Sequence, residues 1–262
     1  YATVMFTPAE TRATLYLPKN LPSRMTEQQY QKLIDNIIER YHLGDPYPVQ
    51  YAYWLGNLVK GEWGYSPTQQ KDVLTALIEK TPVTAELTLY SILLFIPLGL
   101  ISGVIAGAKK NKLSDHGFRL TAYVATTLPS FILALLLMSF FYVDLYWFAP
   151  ARVSTSINLV INSNEFRQIT GLLTIDGLLN GRPDVTIDAF RHLVMPVFTL
   201  AIVHWATLGR VTRAEMIEEL DQEYVVAARA RGIPEGRITW RHTLRNALAP
   251  AMTSSMLSAT AL

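Results

Sequence analysis

Two long apolar stretches constrain this chain more than any other feature of its sequence. No charged residue occurs within Leu87–Ala108, LTLYSILLFIPLGLISGVIAGA, or within Leu120–Val143, LTAYVATTLPSFILALLLMSFFYV. About 20 helical residues cross the hydrocarbon layer of a bilayer, so stretches of this length predict membrane spans. A large soluble protein with buried helices is the alternative, but such helices rarely stay uncharged on every face over about six turns.

Further apolar stretches and the low charge content agree with a membrane protein. A third, weaker stretch covers Leu193–Gly209, and a fourth begins near Ala247 and is cut by the end of the chain. Only 17% of the residues are charged, against about 25% in soluble domains. Because the chain begins at Tyr1 and stops inside an apolar run, we expect both natural ends to be truncated. The absence of cysteine excludes disulfides and thiolate metal sites.

The distribution of Lys and Arg predicts which segments face the cytoplasm. Lys109–Arg119 carries four basic residues and one acidic residue, and Arg210–Arg245 carries seven arginines. Short loops rich in Lys and Arg stay inside, so both segments are predicted to be cytoplasmic. Residues 7–80 and 147–190 would then lie outside. Residues 1–6 would be the tail of an earlier span that carries the chain across.

The external N-terminal region contains a predicted amphipathic helix. Thr26 followed by Gln29 has the spacing of a capping box. Leu33, Ile34, Ile37 and Ile38 then form one apolar face. Gly44 stands where a glycine C-cap is expected. The helix is predicted to pack on the outer face of the protein, with a position in the membrane interface as the lesser alternative.

The sequence thus predicts an all-α integral membrane protein with five successive regions. They are the tail of a first span at 1–6, an external region at 7–83, spans two to four at 84–213 with an external loop at 147–190, a cytoplasmic loop at 214–246, and the start of a fifth span at 247–262.

Several residues within the predicted spans are candidates for helix packing or for lining a pathway. Gly99, Gly103 and Gly107 recur every four residues, which allows another helix backbone to approach closely; local flexibility is the alternative. Membrane helices tolerate prolines when neighbours satisfy the freed backbone groups. An ionisable residue within a span is by default a functional candidate, although a hydrogen bond to a neighbouring helix is an equal alternative. Glu86 and Asp144, near span ends, are expected to be interfacial. The candidates are Pro97, Gly99, Gly103, Pro129, Ser130 and His204.

The segment Glu223–Pro250, EYVVAARARGIPEGRITWRHTLRNALAP, is unlike the rest of the chain. We call it the elbow segment. Tyr224, Ala227, Ala228 and Arg231 share one face of a predicted helix that is nearly bare of bulky side chains. Gly232 can take a left-handed C-cap conformation, and Pro234 suits the first turn of a new helix. The pattern predicts a short helix, a fixed bend and a second helix that continues into the membrane.

Other interpretations of the elbow segment remain open at this stage. A helix-turn-helix that binds DNA phosphates would have a similar composition, but this segment lies between two predicted membrane spans. The arginines at 237, 241 and 245 share a face at four-residue spacing, and part of this basic character follows from the positive-inside bias. An ordinary connecting hairpin is the structural alternative, although it does not explain the alanines, the glycine and the bend.

The elbow segment resembles the cytoplasmic EAA loop of permease subunits from binding-protein-dependent ABC importers. The resemblance is to the first-subunit type of the peptide/nickel branch. Val226 replaces the usual glutamate before Ala227 and Ala228, and Leu244-Arg245 replaces the usual Leu-Pro. Gly44–Ser66, GDPYPVQYAYWLGNLVKGEWGYS, is similar to an external motif of the branch. EKTPVTAEL, IPLG and LPSF are also similar to motifs of the branch, so the resemblance covers nearly the whole chain.

The resemblance implies a type I ABC importer transmembrane domain with about six spans in the full protein. It implies a second permease subunit, two cytoplasmic ATPase subunits and an external substrate-binding protein as partners. The short helix would dock in a groove of an ATPase, and Arg229 and Arg231 would meet acidic or backbone acceptors there, or anionic lipid headgroups. The ATPase-coupling residues implied are Glu223, Tyr224, Ala227, Ala228, Arg229, Arg231, Gly232 and Ile233.

The sequence contains no recognisable motif for catalysis, nucleotide binding or metal binding. It lacks a G-x-x-x-x-G-K-[ST] phosphate loop, and its five histidines lack metal-ligand spacing. We therefore expect no catalytic residue, metal or cofactor in this chain, with ATP and Mg²⁺ in the partner subunits. An intramembrane enzyme would need a paired catalytic set, which His204 and the serines of the spans do not provide. Peptides are the expected substrate, with oligosaccharides, nickel complexes or a stand-alone channel or carrier as alternatives.

Overall fold

The structure, a computed structural model, describes residues 7–17, 26–66 and 68–260. The chain divides into two units, residues 1–81 and 82–262. The predicted first-span tail at 1–6 lies outside the described residues. In the first unit, the elements that end before residue 73 are α1 (Ala9–Thr14), α2 (Glu27–Arg40), α3 (Tyr47–Val59), β1 (Tyr65–Ser66) and β2 (Lys71–Asp72). The two strands pair antiparallel with Tyr65 opposite Asp72.

Helix α2 is the amphipathic helix that the sequence predicts. The Thr26 N–H donates to Gln29 Oε1 at 3.1 Å, and Ile34 and Ile37 are buried. The prediction that Gly44 caps this helix is wrong. His42 takes the left-handed conformation, with φ 54°, and the chain has already turned before Gly44. That the helix lies outside the membrane stays a prediction.

The remaining elements are helical. They are α4 (Val73–Ala108), which begins in the first unit, α5 (Leu113–Thr127), α6 (Ser130–Leu137), α7 (Thr155–Ile161), α8 (Leu173–Leu179), α9 (Pro183–Leu220), α10 (Glu223–Ala230), α11 (Glu235–Arg237) and α12 (Leu244–Thr260). A π-helical segment, Met138–Asp144, follows α6, and another, Ile238–Thr243, precedes α12.

Two helices in the described part of the chain, α4 and α9, are each long and apolar enough to cross a membrane. The first and third predicted spans lie within them. The sequence leads one to expect one continuous helix for the second predicted span, but the structure shows two helices with a bend between them. Helix α5 ends at Thr127, and the next helix begins at Ser130 with a bend of 98°. Leu128 is extended, with ψ 123°, which is the conformation favoured for a residue before proline; Pro129 therefore breaks the helix.

Buried side chains of α4, α9 and α12 form a shared core. Phe95 of α4 packs with Ala201 and Leu208 of α9 and with Ala251 of α12. Trp205 Nε1 donates to Ser102 Oγ at 3.0 Å, so α9 also forms a hydrogen bond to α4. Helix α12 therefore packs against the two long helices, although its role as the start of a further span stays a prediction.

Buried polar groups hold the predicted external loop in a defined conformation. Glu86 is 1% exposed, and its carboxylate accepts hydrogen bonds from Thr174 N–H at 2.8 Å and from Arg152 Nη2 at 2.9 Å. Glu86 therefore has partners inside the protein, and its position at the membrane interface stays a prediction. Asp176 is also buried and accepts from the Gly171 N–H at 2.9 Å. These bonds stabilise a loop that contains α7 and α8.

Candidate functional site: the elbow segment

The bend of the elbow segment is formed by Gly232. Its φ of 72° is left-handed, as the sequence predicts. The Gly232 N–H donates to Arg229 O at 2.9 Å, and the Ile233 N–H donates to Ala228 O at 3.2 Å. This pair of bonds is the Schellman arrangement that closes a helix end. Pro234 takes the N-cap position of α11, one residue before the first turn where the sequence places it. The bend is thus fixed by backbone hydrogen bonds.

One face of α10 packs against its own chain. Val225, Ala228 and Ile238 are buried together, and Ile233 and Leu220 pack beside them. Ala228 is therefore not part of a face that is free for a partner, which corrects the sequence expectation. Sequence reasoning did not select Val225 and Ile238, although the i, i+3 spacing of Val225 and Ala228 was a usable signal for an inward face.

The opposite face of α10 is exposed. Glu223, Val226, Ala227 and Arg231 all lie on the surface of the described chain, and Val226 is 59% exposed. Small and apolar side chains there leave room for another protein to approach the helix backbone. Tyr224 lies at the border between the buried and the exposed face of α10, with 36% of its surface exposed.

Arg229 has an acidic partner within the elbow segment itself. Its Nε donates to Glu235 Oε1 at 2.8 Å, across the bend formed by Gly232. This ion pair raises the pKa of Arg229 and lowers the pKa of Glu235. Both side chains are largely exposed, so the pair contributes little to stability. An acceptor on an ATPase, which the family resemblance implies for Arg229, would have to compete with Glu235.

Tyr224 connects α10 to two other helices. Its hydroxyl donates to Glu219 Oε2 of α9 at 2.7 Å. Asn246 Nδ2 of α12 donates to the same oxygen at 3.4 Å. Burial and the hydrogen bond to Glu219 raise the pKa of Tyr224. Glu219 and Asn246 were not predicted, because nothing in their spacing indicates a contact between residues that are 27 positions apart.

The second half of the elbow segment continues into α12. Helix α11, the π-helical segment and α12 follow one another without an intervening loop residue. Arg237, Arg241 and Arg245 remain exposed, although the π-helical segment departs from the 3.6-residue turn that their spacing assumes. A displacement of the bend can therefore pass along one succession of helical segments.

The glycines selected from the sequence lie where α4 meets α9. A Cβ atom on Gly103 would be 2.6 Å from Gly209 O, and one on Gly99 would be 2.9 Å from Leu208 Cδ2. Gly107 is equally close to Met216 Cβ, at 2.6 Å. Side chains larger than hydrogen do not fit at these distances.

The other selected residues are dispersed through the membrane part. Pro97 lies inside α4, and Pro129 is at the bend before α6. Ser130 lines a cavity of about 530 Å³ that is otherwise mostly apolar. The His204 ring lies 5.5 Å from the ring of Phe95, measured between centroids. The structure does not bring these residues together with the elbow segment.

A cluster of three or more His, Asp or Glu side chains suited to a metal ion is not found in the part of the chain that the structure describes. The elbow segment likewise presents hydrogen bonds and packing surfaces rather than a reactive group. What its arrangement can do is transmit force between a surface helix and the long helices behind it.

Comparison with known proteins shows similarity to membrane components of transport systems. The sequence profile of the family described as binding-protein-dependent transport system inner membrane component matches residues 96–262. The di/tripeptide transport system permease protein DppB of Pseudomonas aeruginosa is 35% identical over 216 residues, which are 82% of this chain and 62% of the relative. The oligopeptide transport system permease protein AppB of Bacillus subtilis is 33% identical over 220 residues, 84% of this chain and 62% of the relative.

This chain covers a larger share of a third relative. The dipeptide transport system permease protein DppB of Bacillus subtilis is 30% identical over 250 residues, 93% of this chain and 69% of the relative. The chain therefore spans a little under two thirds of the first two relatives and somewhat more of this one.

Proposed function

Because the chain belongs to the family of binding-protein-dependent transport system inner membrane components, we propose that it is the permease subunit of an ATP-driven peptide importer. The family resemblance inferred from the elbow segment is thereby confirmed, as is the class of an all-α inner membrane protein. The importer would carry peptides delivered by an external binding protein. This chain would form half of the translocation pathway and would pair with a second permease subunit.

The observation that carries the proposal is the way α10 is attached. Its outer face, with Val226 and Ala227, is open to a partner, while Val225 and Ala228 fix its inner face. Tyr224 joins it to α9 through Glu219. A helix that is exposed on one side and bound to a membrane helix on the other is suited to mechanical coupling.

We assign the coupling to two cytoplasmic ATPase subunits. Closure of the ATPases around ATP would push α10, and the fixed bend at Gly232 would transfer the movement to α11 and α12. This chain would hold neither ATP nor Mg²⁺ and would catalyse no reaction; both ligands would bind to the ATPases. Purified alone, it should not hydrolyse ATP, and hydrolysis by the chain alone would contradict this assignment.

The coupling proposal is tested by filling the exposed face of α10. Ala227→Trp should reduce co-purification of the ATPase subunits and peptide uptake into proteoliposomes, because its indole would block close approach. Ala52→Trp, at another exposed alanine on α3, is the matched control and should leave ATPase binding unchanged. Normal ATPase binding by Ala227→Trp would refute docking at α10, and peptide flux through liposomes containing only this chain would favour a stand-alone carrier.

Peptides are the proposed substrate because relatives are named as di/tripeptide and oligopeptide permeases. Oligosaccharides and nickel complexes are the alternatives within the same type of transporter. Mass spectrometry of the compounds retained by the partner binding protein distinguishes them. Peptides in that sample would support the proposal, and an oligosaccharide or a nickel complex in their place would replace it.

A further inference from the structure

A basic surface cavity lies between the beginning of α5 and the last third of α9. Its volume is about 660 Å³. It is at the end of both helices that the sequence predicts to be cytoplasmic. We call it the basic cavity. Its lining residues are His116, Arg119, Leu120, Tyr123, Arg210 and Arg213.

The positive charge of the basic cavity is only partly neutralised. Asp115 is fully buried and binds Arg213 through two hydrogen bonds, Nε to Oδ1 at 2.5 Å and Nη2 to Oδ2 at 2.8 Å. Arg119 and Arg210 are exposed, and neither forms an ion pair with a carboxylate of the described residues. Asp115 attracts Arg119 at longer range, but both guanidinium groups lack a direct ion pair with the described residues and are available for an anion from outside the chain.

An apolar groove continues from the basic cavity along the same helices. The groove has a volume of about 770 Å³ and is lined by α4, α5, α9 and residues beside the bend at Pro129. Leu120 lines both the groove and the basic cavity. The exposed apolar residues of the groove include Ile101 and Val124, which are 47% and 51% exposed.

The polar side chains of the groove already have partners inside the protein. Ser102 Oγ accepts from Trp205 Nε1 at 3.0 Å, and Thr121 Oγ1 donates to Gly117 O at 3.0 Å. The polar side chains that line the groove are therefore already engaged in hydrogen bonds, which disfavours a polar ligand. A hydrocarbon chain, by contrast, would bury apolar surface there.

We propose that the basic cavity and the apolar groove together bind one anionic phospholipid. Arg119 and Arg210 would hold the phosphate, since guanidinium groups form charge-assisted hydrogen bonds with phosphate oxygens. An acyl chain would lie in the groove beyond Leu120. Basic pockets between membrane helices on the cytoplasmic side suit such headgroups. A free anion would use only the cavity, and an apolar helix of a protein would use only the groove; an amphiphile uses both.

The test measures lipid retained by the assembled transporter. Complexes are reconstituted in nanodiscs of phosphatidylglycerol and phosphatidylcholine and then extracted with detergent, and the bound lipid is counted by mass spectrometry. The double variant Arg119→Gln/Arg210→Gln should retain phosphatidylglycerol about tenfold or more weakly, because each basic residue near the surface contributes appreciably to anionic lipid binding. Lys109→Gln/Lys110→Gln, at two exposed residues that do not line the basic cavity, makes the same change in net charge and should retain as much as the unaltered protein.

A second variant separates a lipid from a free anion. Val124→Trp fills the groove without changing charge and should also lower phosphatidylglycerol retention. Undiminished retention in either Arg119→Gln/Arg210→Gln or Val124→Trp would overturn the proposal. So would stabilisation of the complex by inorganic phosphate equal to that by phosphatidylglycerol, or a cross-link from Arg119→Cys to another subunit, since either would identify a different occupant.

Discussion

Tyr224 and Glu219 join the short helix of the elbow segment to the long helix α9 by a hydrogen bond of 2.7 Å. This bond links the exposed surface of α10 directly to a helix long enough to cross the membrane. Glu219 also accepts from Asn246 of α12. The Glu219 carboxylate of α9 therefore contacts both α10 and α12. A movement of α10 would be transmitted through it to α9 and α12.

Tyr224→Phe is expected to weaken coupling without unfolding the protein. A hydrogen bond to a charged group contributes about 1.5–3 kcal/mol, and the loss should be at the low end here because Tyr224 is partly exposed. Peptide uptake per ATP hydrolysed should fall in proteoliposomes. Tyr146→Phe, at a tyrosine that is 81% exposed, is the control. Unchanged coupling in Tyr224→Phe would show that this bond does not transmit the movement.

Gly232→Ala should destabilise the bend because alanine is strained in the left-handed conformation. The cost is about 1–2 kcal/mol, and it is a backbone cost, since a Cβ at Gly232 meets nothing within 4 Å. Gly236→Ala is the matched control: this glycine is also uncrowded but lies in α11. Thermal unfolding of the two variants should differ, and equal melting temperatures would contradict a strained bend.

Gly103→Ala is expected to force α4 and α9 apart. The added methyl group would be 2.6 Å from Gly209 O, a backbone atom that cannot rotate away. Overpacking of this kind costs about 1–3 kcal/mol. Thermal unfolding in detergent measures the loss. Gly117→Ala, in α5 with no atom within 4 Å of its Cβ, should leave stability unchanged or slightly raised because alanine favours a helix more than glycine does; a similar loss in both variants would mean that close packing is not the cause.

Arg213→Leu should destabilise the protein strongly because it leaves the Asp115 carboxylate buried without its partner. Removing one member of a fully buried ion pair costs about 3–5 kcal/mol; the loss should be smaller here because the Arg213 side chain is 21% exposed and Asp115 keeps a hydrogen bond from the Asn111 N–H. The double variant Asp115→Leu/Arg213→Leu should recover much of this loss, since no unpaired charge remains. Thermal unfolding of both variants and of Asp115→Leu completes a double-mutant cycle. Independent, additive effects would contradict a direct interaction between α5 and α9.

Local signals explain which parts of the site were predictable. The left-handed Gly232 and the capped helix α2 follow from residues a few positions apart, whose chemistry acts on the adjacent backbone. The break at Pro129 was underestimated, because a proline in a membrane helix can be tolerated or can end the helix, depending on neighbours. His42, and not Gly44, takes the left-handed conformation after α2, because the helix ends at Arg40, earlier than the apolar pattern suggests.

The sequence by itself determined that the chain is helical and lies in a membrane, because uncharged stretches of about 20 residues satisfy their backbone groups within a helix and bury their side chains in lipid. It also determined where the elbow segment bends. Only the tertiary structure decided that Ala228 faces inward, that Glu86 and Asp115 are buried with arginine partners, and that Tyr224 reaches Glu219. Those contacts join separate elements of the chain, so they depend on how the helices pack and not on any local preference.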